Sequence, residues 1–165
     1  MNKHNKQNIK STKGFTIIEV VLVLAIAALI FLMVFIALPA LQRGQRDAGR
    51  KNDVSTVTSA LQTYLSNNRG SFGTSLNSAT LQKYIDRLSQ YDPTDVEVPG
   101  GGSVVNATTN KIRVYVGQKC PTSLPAPGSD PVTVPNMISG SSRQAAVVTA
   151  LENNGKEVQA FCQDL

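Results

Sequence analysis

The chain has 165 residues, 41% hydrophobic and 16% charged, which suits an ordered protein with one domain's worth of core and excludes a disordered polyelectrolyte. Its formal charge of +5 is local: Lys3, Lys6, Lys10 and Lys13 supply four of those charges, leaving +1 for the 151 residues from Phe15 onward, so a nucleic-acid partner has no electrostatic support in the body of the chain. The sole histidine, His4, lies in that basic leader, only two cysteines occur, and no GxSxG or P-loop pattern or forced pair of acids is present, so neither an enzyme, a metal site nor a cofactor is expected.

Residues 1–12 are polar and basic without apolar periodicity and read as disordered. Then comes Lys13-Gly14-Phe15-Thr16-Ile17-Ile18-Glu19, and residues 20–38 that follow carry no polar side chain. A helix over residues 15–38 spans about 36 Å at about 1.5 Å per residue, enough to cross a hydrocarbon core about 30 Å thick. Glu19 breaks the run. A carboxylate in a membrane segment costs on the order of 3 kcal/mol at the centre, less at the edge, and usually has a partner. The lysines place the N-terminus in the cytoplasm and the C-terminal body across the membrane. In an ordinary secretory signal the apolar segment precedes the cleavage site and is discarded. Here the small residue Gly14 precedes the apolar run, so a cut there keeps the helix.

A Lys-rich leader ending in Gly14, then Phe15, then Glu19 five residues into a long apolar helix, resembles the type IV pilin family and its class III signal peptide. The resemblance covers about residues 10–40. It implies that a prepilin peptidase, a membrane aspartyl protease, cuts between Gly14 and Phe15 and that Phe15 becomes the N-methylated terminus. It also implies that Glu19 meets the N-terminal amine of a neighbouring copy. Independently of family, a cleaved chain places Glu19 one turn from a free amine and from the unsatisfied N–H groups of the first helical turn. Stacked with an axial offset, the same carboxylate reaches the next copy's amine, and any other register strands a charge.

Further along, Pro39 is expected to kink or locally open the helix at a cost of about 3 kcal/mol, and Gly44 and Gly49 each weaken it by about 1 kcal/mol. Val54, Val57, Leu61, Tyr64 and Leu65 form one apolar stripe, so residues 39–69 read as an amphipathic continuation of the helix. Asn67-Asn68-Arg69-Gly70 supplies the stop, with Gly70 expected at the first position past the cap. The charged residues at 43–51 read as a solvated collar at the water interface; anionic lipid, DNA or acids of a neighbouring copy are the other partners such a run can take.

Residues 70–165 read as a globular α+β head. A loop at 71–77 leads to a helix over residues 78–88, with Ser78 as N-cap and Asp92-Pro93 as its end. Strands are expected at 103–106 and 111–118, the second on its alternation of Ile112, Val114 and Val116 with Arg113 and Tyr115. The proline-rich stretch 121–142 reads as a long loop outside the core. Residues 144–152 and 157–163, around Asn153-Asn154-Gly155-Lys156, read as a hairpin with an Asn-Gly turn. Asn106-Ala107-Thr108 matches the N-glycosylation pattern, a match frequent by chance. Cys120 and Cys162, on the translocated side, most simply form one disulfide; two buried thiols are the alternative.

The expected fold is thus α+β, a long N-terminal helix packed against a small antiparallel sheet. The divisions are a leader (1–14), a membrane and assembly helix (15–38), its amphipathic half (39–69) and the head. A disulfide enclosing the C-terminal region agrees with the resemblance. The resemblance also implies a structural subunit of a type IV pilus or related filament, with copies of itself, the prepilin peptidase, the assembly machinery and the cytoplasmic membrane as partners. Adhesion, twitching motility or DNA uptake are the roles implied, with the chain in the membrane before assembly and in an extracellular filament after it. The alternatives are a pseudopilin of a secretion or competence system and a single-span anchored binding module that stays monomeric.

Overall fold

The computed structural model describes residues 14–73, 75–153 and 157–165, and the chain divides into two compact units, residues 1–41 and 42–165. The expectations for residues 1–13 and for the hairpin tip at Asn154, Gly155 and Lys156 fall outside the described residues.

The described part of the first unit is the beginning of helix α1 (Ile17–Asn67). Helix formation is expected of a run of Leu, Ala, Ile, Val and Phe whose backbone has no water to turn to. Its most apolar 18-residue window has a mean hydropathy of 3.3, and no residue of that window is buried among the described residues. Among the described residues this is the helix long and apolar enough to cross a membrane. The helix begins at Ile17, two residues later than expected, and it is assigned continuously through Pro39, Gly44 and Gly49, so the local opening expected at the proline is not seen. Proline deletes one N–H donor, but flanking turns keep their own hydrogen bonds and carry the helix across.

In the second unit α1 becomes one-sided. Val54, Val57, Ala60, Leu61 and Tyr64 are buried, and Leu65 packs against them. The outward face carries small hydroxyl residues that bond to the helix itself: Thr56 Oγ1 donates to the Asn52 carbonyl, Ser59 Oγ to that of Ser55, and Thr63 Oγ1 to that of Ser59. At the C-terminus the position past the cap is taken by Arg69 (φ 57°), not by Gly70 as expected. The Gly70 N–H then reaches back to the Leu65 carbonyl at 2.7 Å, the long closing bond of a Schellman turn. Gly70, also at positive φ, lets the chain turn a second time.

Among the described residues nine strands follow: β1 (Val96–Glu97), β2 (Val105–Ala107), β3 (Ile112–Val116), β4 (Gln118–Lys119), β5 (Gly128–Ser129), β6 (Val132–Val134), β7 (Ile138–Ser139), β8 (Ala145–Glu152) and β9 (Glu157–Asp164). The main sheet has the order β1-β3-β8-β9-β5, and β2-β6 and β4-β7 form two small antiparallel pairs. The main sheet is not wholly antiparallel: β1 runs parallel to β3, because the chain between them crosses over through β2 in another sheet.

One face of the main sheet packs on α1. Val96, Ile112, Val114, Ala145 and Val147 share a core with Val54, Val57, Leu61 and Tyr64. The other face, with Tyr115, Ala146, Val148, Ala150, Val158 and Ala160, packs on Val105, Ala107, Val132 and Val134 of the β2-β6 pair. This double cover explains why all six residues from Ala145 to Ala150 are buried and why Tyr115 is not a surface residue.

The structure corrects further expectations. The second helix, α2, covers only Ser78–Gln82, and its N-cap is Asn77, whose Oδ1 accepts from the Thr80 N–H at 2.8 Å. Asp92-Pro93 does not end that helix but opens a separate 3₁₀ turn (Pro93–Asp95), with Asp92 as its cap. The stretch 121–142 is not merely loop: it contributes β5, β6 and β7, and Val132, Val134 and Met137 are buried. Strand β2 starts two residues later and ends one residue later than expected, and β3 is narrower than expected because Gly117 at φ 71° ends it and redirects the chain into β4. The β8–β9 hairpin pairs from Ala146↔Asp164 to Glu152↔Val158.

Candidate processing and assembly segment

The predicted site residues fall in two places. Gly14, Phe15 and Glu19 gather at the start of α1, while Cys120 and Cys162 lie in the second unit. Gly14, Phe15 and Thr16 are outside any helix, and Phe15 is 84% exposed. A side chain built on Gly14 would meet nothing within 4 Å, and Gly14 and Phe15 are both exposed among the described residues.

Thr16 sets where the helix begins. Its Oγ1 accepts from the Glu19 N–H at 3.3 Å, and its carbonyl accepts from the N–H groups of Glu19 at 3.1 Å and Val20 at 3.3 Å. Those contacts identify an N-cap, which satisfies one of the four donors a helix start leaves orphaned. Thr16-x-x-Glu19 has the spacing of a capping box, in which a carboxylate three residues in reaches back toward the cap's own N–H. Thr16 was missed by the sequence reading, although this spacing was there to find it. Glu19 itself is exposed in the first turn, where the helix dipole favours a negative charge. Phe15, Glu19, Val20, Val23 and Leu24 line one shallow, almost wholly apolar hollow, so the carboxylate is embedded in an otherwise greasy surface.

The second unit holds a charged group that the collar reading did not foresee. The Arg46 guanidinium clasps Glu152 through Nε to Oε1 at 3.0 Å and Nη2 to Oε2 at 2.6 Å. Arg50 reaches the same Glu152 at 2.9 Å and Asp47 at 2.9 Å, while the Glu152 N–H donates to Asp47 Oδ1 at 2.9 Å. The Arg46 bonds, joined by those from Arg50 and opposed by partial burial, hold the Glu152 carboxyl down to about 2. Lys51 lies 5.7 Å above the Phe161 ring. Arg46, Asp47 and Arg50 therefore tie α1 to the β8–β9 hairpin, where a solvated face was expected, with Arg46 left half-exposed.

Asp53, 1% exposed, is a second tie. Its carboxylate accepts from the Ser89 N–H at 2.7 Å, Ser89 Oγ at 2.8 Å and the Gln90 N–H at 2.6 Å. Those bonds hold the Ser89 and Gln90 backbone against α1, seven residues beyond the end of α2 at Gln82 for the nearer of the two.

Cys120 and Cys162 are joined by a disulfide with Cα atoms 5.8 Å apart. It links the segment after β4 to β9, and the Cys120 N–H adds a bond to Asp164 Oδ1 at 2.6 Å. Pro39 lies inside α1, within the first unit. Among the described residues no group of three or more His, Cys, Asp or Glu side chains converges on a point a metal could occupy.

Comparison of the chain with curated proteins and with solved structures gives no match. Residues 9–35 match the prokaryotic N-terminal methylation motif. Such a motif implies processing by a prepilin peptidase and entry into a pilus-assembly route, and with the apolar helix it indicates membrane anchoring. The start of this chain is thus the class III signal peptide of type IV pilins and pseudopilins, and it marks a pilin-like prepilin.

Proposed function

We propose that this chain is a structural subunit of a type IV pilus or related filament, cut between Gly14 and Phe15, methylated at Phe15 and polymerised through the first part of α1. The observation that carries the proposal is the bare apolar helix with one acid in its first turn. None of its most apolar window is buried among the described residues, which supports a surface covered from outside, by lipid or by other copies. Lipid accounts for the length and the apolar composition. Copies packed side by side account for them equally, and would give Glu19 a neighbour's N-terminal amine in addition to the dipole of its own first turn.

In this reading the helix is dissolved in lipid before assembly and packed against identical helices afterwards, with Glu19 setting the axial register. The leader is residues 1–14, the membrane and assembly helix 15–38, its amphipathic half 39–69 and the head the remainder. The work of extraction comes from an assembly machine, since the chain contains no nucleotide-binding motif.

The test is intact-mass and N-terminal peptide mass spectrometry on material sheared from the surface of native cells. Chains beginning at methylated Phe15 in the sheared fraction support the proposal. Full-length chains from Met1 found solely in the membrane fraction would replace it with a monomeric anchored module.

A further inference from the structure

We propose that Thr16 is a positioning residue for the processing step: by capping α1 at Ile17 it keeps the Gly14–Phe15 bond outside the helix, where a peptidase can bind it extended. This rests on the reading of Gly14–Phe15 as the processed bond. The physical problem is that an apolar helix in lipid tends to lengthen. Each orphaned N–H at its start is costly in a medium without water, and adding a turn is the simplest way to satisfy it. A bond inside that added turn would have its carbonyl and N–H engaged and its flanking side chains splayed around the helix. It could not lie along a protease cleft.

The structure shows what stops the lengthening. The Glu19 N–H is satisfied by Thr16 Oγ1 as well as by the Thr16 carbonyl, and residues 14–16 are non-helical and exposed. Gly14 works in the same direction, since glycine within a helix is disfavoured by about 1 kcal/mol. Remove the Thr16 hydroxyl, and the next hydroxyls upstream in the sequence are Thr12 and Ser11. A helix capped at either would enclose both Gly14 and Phe15.

The role assigned to Thr16 is distinct from that of Glu19. Glu19 acts through its charge after the cut, whereas Thr16 acts through one acceptor oxygen before it. An N-cap oxygen can be supplied by several residues, with Asn and Ser at least as good as Thr, whereas Val keeps the shape and loses the acceptor.

The experiment is a cleavage time course with purified prepilin peptidase on the full-length chain in detergent micelles, comparing wild type with Thr16→Val, Thr16→Ser and Thr16→Asn. The expected result is a roughly fivefold lower kcat/KM for Thr16→Val, the population change that accompanies loss of an N-cap, with Ser and Asn close to wild type. The loss should appear in KM with kcat retained, because fewer chains present the extended bond. In the same micelles the Cα chemical shifts of Gly14 and Phe15 should move toward helical values in Thr16→Val alone. Cleavage of Thr16→Val at the wild-type rate would overturn the proposal. Equal slowing of all three variants would also overturn it, because the peptidase would then be reading threonine directly. A wild-type chain left uncut at Gly14–Phe15 would instead overturn the processing reading beneath it.

Discussion

Arg46 on α1 and Glu152 at the end of β8 meet through two hydrogen bonds, at 3.0 and 2.6 Å, across a sequence separation of 106 residues. Arg50 shares the same carboxylate, and Asp47 accepts from the Glu152 backbone N–H, so four residues close one loop between the helix and the sheet. Paired this way, two guanidinium groups and two carboxylates leave less free charge at this level of α1 than the sequence suggests.

The first prediction concerns that loop. Glu152→Gln removes the charge but keeps the shape, and it should lower stability by about 1–2 kcal/mol in urea denaturation of the detergent-solubilised chain. The folded-state value of Glu152, about 2, lies below the ordinary 4.5. Its stabilisation is therefore complete above the ordinary value and is lost as pH falls through about 2. The gap between wild type and variant should be constant at neutral pH, shrink below about 4.5 and close near 2. A gap that does not change over that range would contradict the pairing.

Asp53 should prove more sensitive than its position in a helix suggests. Replacing it by Ala strands two backbone N–H donors and one hydroxyl in a part-buried site and should cost roughly 2–4 kcal/mol. Amide exchange at Ser89 and Gln90 should accelerate with it. Unchanged protection at those two amides would show that something other than Asp53 holds the segment.

For the disulfide, the paired variant Cys120→Ser with Cys162→Ser should lose about 2–4 kcal/mol, as expected for two cysteines 42 residues apart. Wild-type stability should fall on adding reductant and that of the paired variant should not. A wild-type chain indifferent to reductant would mean that the bond does not constrain the fold.

Glu19→Ala tests assembly apart from processing. Membrane insertion and cleavage should remain close to wild type by fractionation and N-terminal mass spectrometry, since the variant makes the helix more apolar. Filaments seen by electron microscopy of sheared material should disappear. Normal filaments would remove Glu19 from the assembly step.

Much of the architecture was legible because its signals are local. A run of nineteen apolar residues can be solvated by lipid or by copies of itself, whatever the rest of the chain does. The stripe from Val54 to Tyr64 declares a buried face at helical spacing, and the apolar run of β8 followed by an Asn-Gly tip and a second apolar segment declares a hairpin. Thr16-x-x-Glu19 was equally local and was read only for its acid.

The sequence by itself determined the helix, its acid and the existence of a small sheet against an amphipathic face, because each rests on neighbours within one or two turns. The tertiary structure alone decided which residues the charges meet. Arg46 and Arg50 look solvent-facing until β8 brings Glu152 alongside, and Asp53 looks like one more surface acid until the backbone of Ser89 and Gln90 comes to it. Likewise Val132 and Val134 lie among prolines and glycines that read as loop, and become core only because the far face of the main sheet needs a cover. Periodicity records what a segment is able to bury; its partner, 36 residues away for Asp53 and Ser89 and 106 for Arg46 and Glu152, is chosen by how the layers close.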